Sequence, residues 1–240
     1  MTPDSLKTAA VIPAAGAGIR MKRHRAKQFL TLQDRPILAV TLQAFEDCPD
    51  VDGVIVVAPA GDVAYCTEEI VAPFRFRKVR KVVAGGDRRQ DSVRLGIEAT
   101  AGQYGRIVIH DGVRPLITPE LLRRVIDALS AYRAVIAALP ARETVKEINP
   151  LGEVVRTYER DRVWMAQTPQ AFRYEDILQA HQRALDRGWQ EATDDAFLAE
   201  RCGIPVKVVE GLERNIKITT PFDLEMARLL MNPPPPSEWS

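Results

Sequence analysis

The chain has 240 residues, 46% of them hydrophobic and 27% charged, with a formal net charge of +1. That length and composition fit one soluble α/β domain with a sizeable core, and so small a net charge excludes bulk attraction to nucleic acid or to acidic membranes. Cys48, Cys66 and Cys202 are odd in number and far apart, which argues against a disulfide framework or a zinc site and for a reducing compartment.

The first element is strand-like, Thr8–Ile12, and stops at Pro13. Small residues follow it: Ala14, Ala15, Gly16, Ala17 and Gly18. Such residues let backbone N–H groups approach an anion closely. Arg20 and Lys27 bring two cations to the same place. Together these features describe a polyphosphate site; the alternative is a glycine turn with two solvated charges. The dinucleotide fingerprint is excluded because Met21 stands where its third glycine belongs, and no Gly-Lys-Ser/Thr completes a P-loop.

Apolar spacing in Pro36–Phe45 is helical, Val54–Ala58 is a β-branched run, and Val63–Phe74 reads as a helix. Val79–Ala84 is another strand. Gly85-Gly86-Asp87 comes next, before a helix expected over Ser92–Thr100 and opened by Ser92. Two glycines there permit close contact with a base or ribose, and Asp87 and Ser92 can accept hydrogen bonds; a tight turn plus a helix cap is the alternative. Arg106–Ile109 is a buried strand leading into His110-Asp111-Gly112-Val113-Arg114. A carboxylate at Asp111 can hold Mg²⁺, which keeps most of its waters, while Arg114 can bind a phosphate. An internal Asp–Arg pair that only shapes the loop stays open. Thr118-Pro119 starts a helix to about Tyr132, and Ala134–Leu139 is the next strand.

Strands alternating with helices imply a Rossmann-like α/β fold with a mostly parallel central sheet, whose ligands lie beyond the carboxyl ends of the strands. Gly16, Gly85 and Asp111 all follow strands, so one crevice can collect them. The alternation breaks at Thr144–Tyr158, a hairpin about Asn149-Pro150-Leu151-Gly152. It has too few large apolar residues to bury a face unaided. A protruding β-arm over about residues 142–160, packed against a second copy, would solve that; folding back on its own domain is the alternative. Gln167-Thr168-Pro169-Gln170 reads as turn chemistry and Thr193-Asp194-Asp195 as a helix cap. Helices are expected over Tyr174–Arg187 and Asp194–Arg201, a strand over Val206–Val209, and a helix from Thr220-Pro221 to about Met231. Lys217 is placed on a strand, facing away from Ile216 and Ile218. The single domain therefore ends near residue 231, and residues 232–240 read as an extended or disordered proline-rich tail. The N-terminus lacks a signal-peptide apolar core and no segment approaches membrane-spanning length, so a cytoplasmic protein is expected. His24, His110 and His181 share no metal spacing, and covalent catalysis is not suggested.

The ordered set Pro13-Ala-Ala-Gly, Lys27-Gln28, Gly85-Gly86-Asp87, Asp111 with Arg114, Gln167-Thr168-Pro169, Thr193-Asp194-Asp195 and Asn215-Ile-Lys-Ile-Thr-Thr-Pro closely resembles the 2-C-methyl-D-erythritol 4-phosphate cytidylyltransferases. The resemblance implies a nucleotidyltransferase domain in which methylerythritol phosphate attacks the α-phosphorus of CTP and pyrophosphate leaves. It implies that Arg20 and Lys27 stabilise the charge at phosphorus. Residues Ala14 to Gly18, Gly85, Gly86, Asp87 and Ser92 would hold CTP, and Asp111 would bind Mg²⁺ or another divalent cation. Arg160 and Lys217 would position the second substrate with Arg114, Thr144 and Thr193, and Gly112 would keep a backbone contact. The family implies a homodimer whose arm, carrying Thr144, reaches the partner's site. Ala26 departs from a frequent proline, and Gly112-Val113 from a common Ala-Ala. A ribitol 5-phosphate cytidylyltransferase and a catalytically silent nucleotide-binding module are the competing readings. The Ala166-Gln-Thr-Pro and Thr193-Asp-Asp context favours methylerythritol phosphate.

Overall fold

The structure, a computed structural model, describes residues 7–16, 27–190 and 192–232. Ala17, Gly18, Arg20 and the tail beyond residue 232 lie outside the described residues. In chain order the first strand is β1 (Thr8–Pro13), followed by a short ribbon of β2 (Thr31–Leu32) and β3 (Arg35–Pro36) and by helix α1 (Ile37–Asp47). Then come β4 (Gly53–Ala58), a brief α2 (Val63–Tyr65) continued by a π-turn at Cys66–Val71, β5 (Val79–Ala84), α3 (Arg89–Ala99), β6 (Arg106–Ile109) and α4 (Pro119–Ala128). The second half holds β7 (Ala134–Pro140), β8 (Lys146–Ile148), β9 (Val154–Thr157), β10 (Trp164–Arg173), α5 (Tyr174–Asp186), α6 (Asp195–Arg201), β11 (Val206–Glu210) and α7 (Pro221–Met231).

Seven strands form one sheet in the order β11-β7-β10-β6-β1-β4-β5. Every neighbouring pair is parallel except those made by β10, which runs antiparallel to both β6 and β7. The chain leaves β1 for β4 and β5 on one side and then crosses to β6 on the other. This reversal beside β1 is a topological switch point, where such sheets open a crevice at their carboxyl edge.

Alternation along the central strands splits the core into two layers. Ala10, Ile12, Val54, Val56 and Val108 pack with α1 and α4 through Leu38, Phe45, Leu122 and Val125. Ala9, Val11, Val57, Ile107 and Ile109 pack with α3, α5 and α6 through Ile97, Ile177 and Leu198. α3 approaches closely because Gly96 has no side chain: a Cβ there would stand 2.4 Å from Val11 Cγ1. A third cluster joins α7 to the loop after β6 through Ile218, Val113 and Leu116.

Five expectations are corrected. Trp164–Arg173 is a ten-residue strand rather than turn chemistry, with a register irregularity between Ala166 and Gln170. Helix α3 begins at Arg89, three residues before Ser92. Lys217 lies on no strand, because residues 215–219 pair with no ladder. The expected long helix over Val63–Phe74 is broken into α2 and the π-turn, and α4 ends at Ala128 rather than near Tyr132.

The arm is present as the separate two-stranded ribbon β8-β9. Among the described residues no helix is long and apolar enough to cross a membrane.

Candidate active site

The carboxyl ends of β1, β5 and β6 open on a cleft of about 290 Å³ lined by residues 13–16, Lys27, Gln28, Gly86, Asp87, Ser92, Asp111 and Lys217. The structure thus brings together most of the motifs expected to meet. The β1 loop is fixed from both sides. Ala14 N–H donates to Val57 O at 2.8 Å, and the buried Gln28 side chain donates to Ala14 O. The Ala14 amide therefore already has a partner and is not available to an anion, contrary to the expectation for the whole run of small residues. Lys27 opens the 3-10 turn Lys27–Phe29. The two residues that follow Lys27 are buried, Gln28 bonded to the β1 loop and Phe29 packed edge-on to Tyr65.

Gly85 knits this loop to the next. An added Cβ would stand 2.5 Å from Ala15 Cβ and 2.7 Å from Ser92 Oγ, so only glycine lets the two loops touch. Ser92 Oγ accepts from Gly86 N–H at 3.2 Å and sits 3.1 Å from Arg88 O. Ser92 is therefore a tie within the first turn of α3 rather than its cap.

Asp111 is the centre of the charge arrangement. Its Oδ1 lies 3.1 Å from Arg89 Nε, and its Oδ2 lies 2.9 Å from Lys217 Nζ and 3.4 Å from Arg114 Nε. Burial alone would push the carboxyl upward, but Arg89, Lys217 and Arg114 hold it well below the usual carboxylate range. The internal Asp–Arg pair foreseen with Arg114 exists, as one contact among three. Burial draws Arg114 below the ordinary arginine value, with Asp111 opposing. Gly112 N–H donates to Pro13 O at 3.2 Å, which closes the β1 and β6 loops on each other.

Lys217 reaches Asp111 because its segment is tied down. Ile218 N–H donates to Val113 O at 2.9 Å. Asn215 Nδ2 donates to Thr168 O at 2.7 Å, and Arg114 Nη1 donates to Asn215 O at 2.9 Å. Gln167 holds the same turn by donating to Leu212 O at 3.0 Å. The polar residues of β10 thus assemble the site instead of making a surface turn.

Behind Asp111 a directional chain fixes the loop. Asp111 N–H donates to Thr168 Oγ1 at 3.1 Å. His110 Nε2 faces Arg114 O at 3.1 Å, and since a carbonyl only accepts, that nitrogen carries the proton. His110 Nδ1 then accepts from the Thr168 hydroxyl at 3.0 Å. Burial pushes the His110 ring down to about 4 from the ordinary 6.5. Between those values the unfolded chain binds a proton that the folded chain refuses, so stability falls as pH drops below 6.5 and stops falling near 4. We expect this group to make the protein about 2 kcal/mol less stable at pH 5 than at pH 7.5. Urea unfolding of wild type and His110→Gln at both pH values measures it: the variant should lose that difference, and an equal difference in both proteins contradicts the assignment.

Arg89 was not singled out by its sequence. It also reaches Asp195, with Nη1 2.7 Å from Oδ2. Starting α3 at Arg89 puts Arg89, Ser92 and Gly96 on one helical face, which is the signal that could have found it. Asp194 caps α6 through Phe197 N–H at 3.0 Å, as the cap reading expects. Thr193 is exposed on the loop before it. Thr144 and Arg160 are not in this cleft. They border a separate depression at the base of the arm with Tyr158, Glu159 and Asp161.

The sequence profile of the family described as IspD, 2-C-methyl-D-erythritol 4-phosphate cytidylyltransferase, matches residues 8–233. The chain is similar to the 2-C-methyl-D-erythritol 4-phosphate cytidylyltransferase of Geobacter metallireducens, with 48% identity over 221 residues, 91% of this chain and 94% of the relative. It is also similar to that of Syntrophus aciditrophicus, with 44% identity over 94% of this chain and 96% of the relative. Among solved structures it resembles the 4-diphosphocytidyl-2C-methyl-D-erythritol synthase of Anaerococcus prevotii, with a TM-score of 0.83, 33% identity and coverage of 94% and 96% of the two chains.

Proposed function

The chain belongs to the 2-C-methyl-D-erythritol 4-phosphate cytidylyltransferase family, and from that premise we propose that it joins CTP to methylerythritol phosphate in the cleft around Asp111. The products are 4-diphosphocytidyl-2-C-methyl-D-erythritol and pyrophosphate. The observation that carries the assignment is the convergence of Arg89, Arg114 and Lys217 on one carboxylate at the switch point of the sheet, in a cleft that Lys27 also lines. Such an excess of positive charge suits two phosphorylated substrates.

The nucleotide lies along residues 14–16, with the base and ribose against Gly85, Gly86, Asp87 and Ser92. Lys27 faces the phosphates, and the role given to Arg20 rests on the family resemblance, since it lies outside the described residues. The acceptor's phosphate oxygen is ionised near neutral pH and attacks the α-phosphorus directly, in line with the departing pyrophosphate. No general base is required, and His110 and His181 are both buried, His110 with both ring nitrogens bound and His181 bound to Asp195 through Nε2. The five-coordinate phosphorus gathers negative charge, and fixed cations around it can supply most of the acceleration.

A divalent cation such as Mg²⁺ fits this donor set. The buried Asp111 carboxylate at the cleft, with no cluster of three metal-binding side chains among the described residues, matches an ion that takes its other oxygens from phosphates and water. Asp111 would hold it, and its contribution when bound is neutralisation of phosphate charge. Arg114 and Lys217 orient the acceptor phosphate, with Thr193 at the rim and the Gly112 backbone alongside.

We further propose a homodimer in the cytoplasm. Thr144 and Arg160 stand apart from their own chain's cleft, and the arm carries them toward that of a second copy. The assay that tests the whole reading is release of pyrophosphate from CTP on addition of methylerythritol phosphate.

A further inference from the structure

We propose that Arg89 is a movable counter-cation with two carboxylate seats, and that Asp195 is the seat to which it withdraws when a divalent ion takes its place on Asp111. This rests on Asp111 being the metal-binding residue. Arg89 bridges the two acids, with Nε 3.1 Å from Asp111 Oδ1 and Nη1 2.7 Å from Asp195 Oδ2. The other Asp111 oxygen is occupied by Lys217 and Arg114. A divalent ion arriving on Oδ1 meets the Arg89 guanidinium at close range, and the weakly screened repulsion between its double charge and the guanidinium favours withdrawal of Arg89. The guanidinium presents five donors in a rigid fork, so it can leave Asp111 while still donating to Asp195.

The two seats differ in freedom. Asp195 is 1% exposed, and its Oδ1 lies 3.1 Å from His181 Nε2, a ring that is itself buried. Its backbone N–H, like that of Ala196, donates to Gln170 Oε1. The Asp195 carboxylate is therefore fixed by α5, α6 and β10 and cannot follow Arg89 toward the cleft. Arg89 is 28% exposed and lines the cleft wall, so it is the part that moves. Without the Asp195 charge, Arg89 would have one carboxylate to pair with and would compete with the metal for it. Asp195 and His181 are thus positioning residues: they act on the metal site through Arg89.

The test is calorimetric titration of CTP, without acceptor, into the full chain in excess Mg²⁺ and in EDTA. The quantity read is the ratio of the two affinities. Asp195→Asn should lower that ratio about tenfold and Arg89→Gln should raise it, a size ordinary for coupled charges in one network. The double variant R89Q/D195N should match Arg89→Gln, because Asp195 has no route to the metal once Arg89 is gone. It also leaves no buried charge unpaired, so it keeps the comparison available if Asp195→Asn alone does not fold. An unchanged or lowered ratio in Arg89→Gln overturns the proposal, as does a double variant that differs from it. Asp111→Asn separates the two readings. If it abolishes the Mg²⁺ effect while Arg89→Gln does nothing, the two-seat mechanism fails and the metal assignment stands. If the ratio is unchanged in Asp111→Asn, or is one in wild type, the metal assignment itself falls.

Discussion

Replacing Lys27 with alanine should lower turnover by about a hundred- to a thousandfold while changing CTP affinity only a few-fold. The expectation follows from where charge appears. Before reaction the triphosphate charge is spread over many oxygens and met by several groups of the cleft. During transfer, new charge concentrates on the α-phosphorus, and a cation fixed beside it counts for more there than in the ground state. Lys27 is suited to this because its backbone is set by a 3-10 turn whose next residue, Gln28, is buried and bonded to the β1 loop. On the proposed function its ammonium would approach the phosphates from a rigid base, with little reorganisation needed during the reaction. Single-turnover rates and equilibrium CTP binding, measured separately, decide the matter. Equal losses in both would mean that Lys27 merely holds the nucleotide.

Removing Thr144–Thr157 should convert a dimer of the 26.8 kDa chain into a monomer and abolish use of methylerythritol phosphate at the same time. Every residue of β8 and β9 is exposed. Ile148 is 61% and Val155 62% exposed, and Trp164 and Met165, where β10 begins, are exposed as well. A lone two-stranded ribbon is at best marginally stable in water. Burying four such side chains against a second chain would contribute several kcal/mol, at about 1.5–3 kcal/mol for each fully covered residue. Sedimentation gives the mass and pyrophosphate release gives the activity. A fully active monomer would contradict both the arm's role and the placement of Thr144 across the interface.

Much of this arrangement was legible in the sequence, for identifiable reasons. The central strands announce themselves as β-branched runs because both faces of the sheet are covered, as at Val54–Ala58. The cleft followed from that, since Gly16, Gly85 and Asp111 come just after strands. β10 was not legible. It contains Pro169, and its buried Gln167, Thr168 and Gln170 point their hydrogen bonds at other loops, so neither alternation nor apolar content marks it as a strand. The start of α3 was hidden because Arg88, a residue with no capping bond, stands at the cap. Lys217 was recognisable as a cation between apolar neighbours. Its pairing with Asp111 depends on Asn215 and Ile218 being tied to distant loops, and no local pattern encodes that.

The most direct trial of the account is to mix the purified protein with CTP and Mg²⁺, add either methylerythritol phosphate or ribitol 5-phosphate, and follow pyrophosphate. The account predicts rapid release with the first acceptor, far slower release with the second, and none when no acceptor is present. Ribitol 5-phosphate turning over as fast as methylerythritol phosphate, or silence with both, would contradict it.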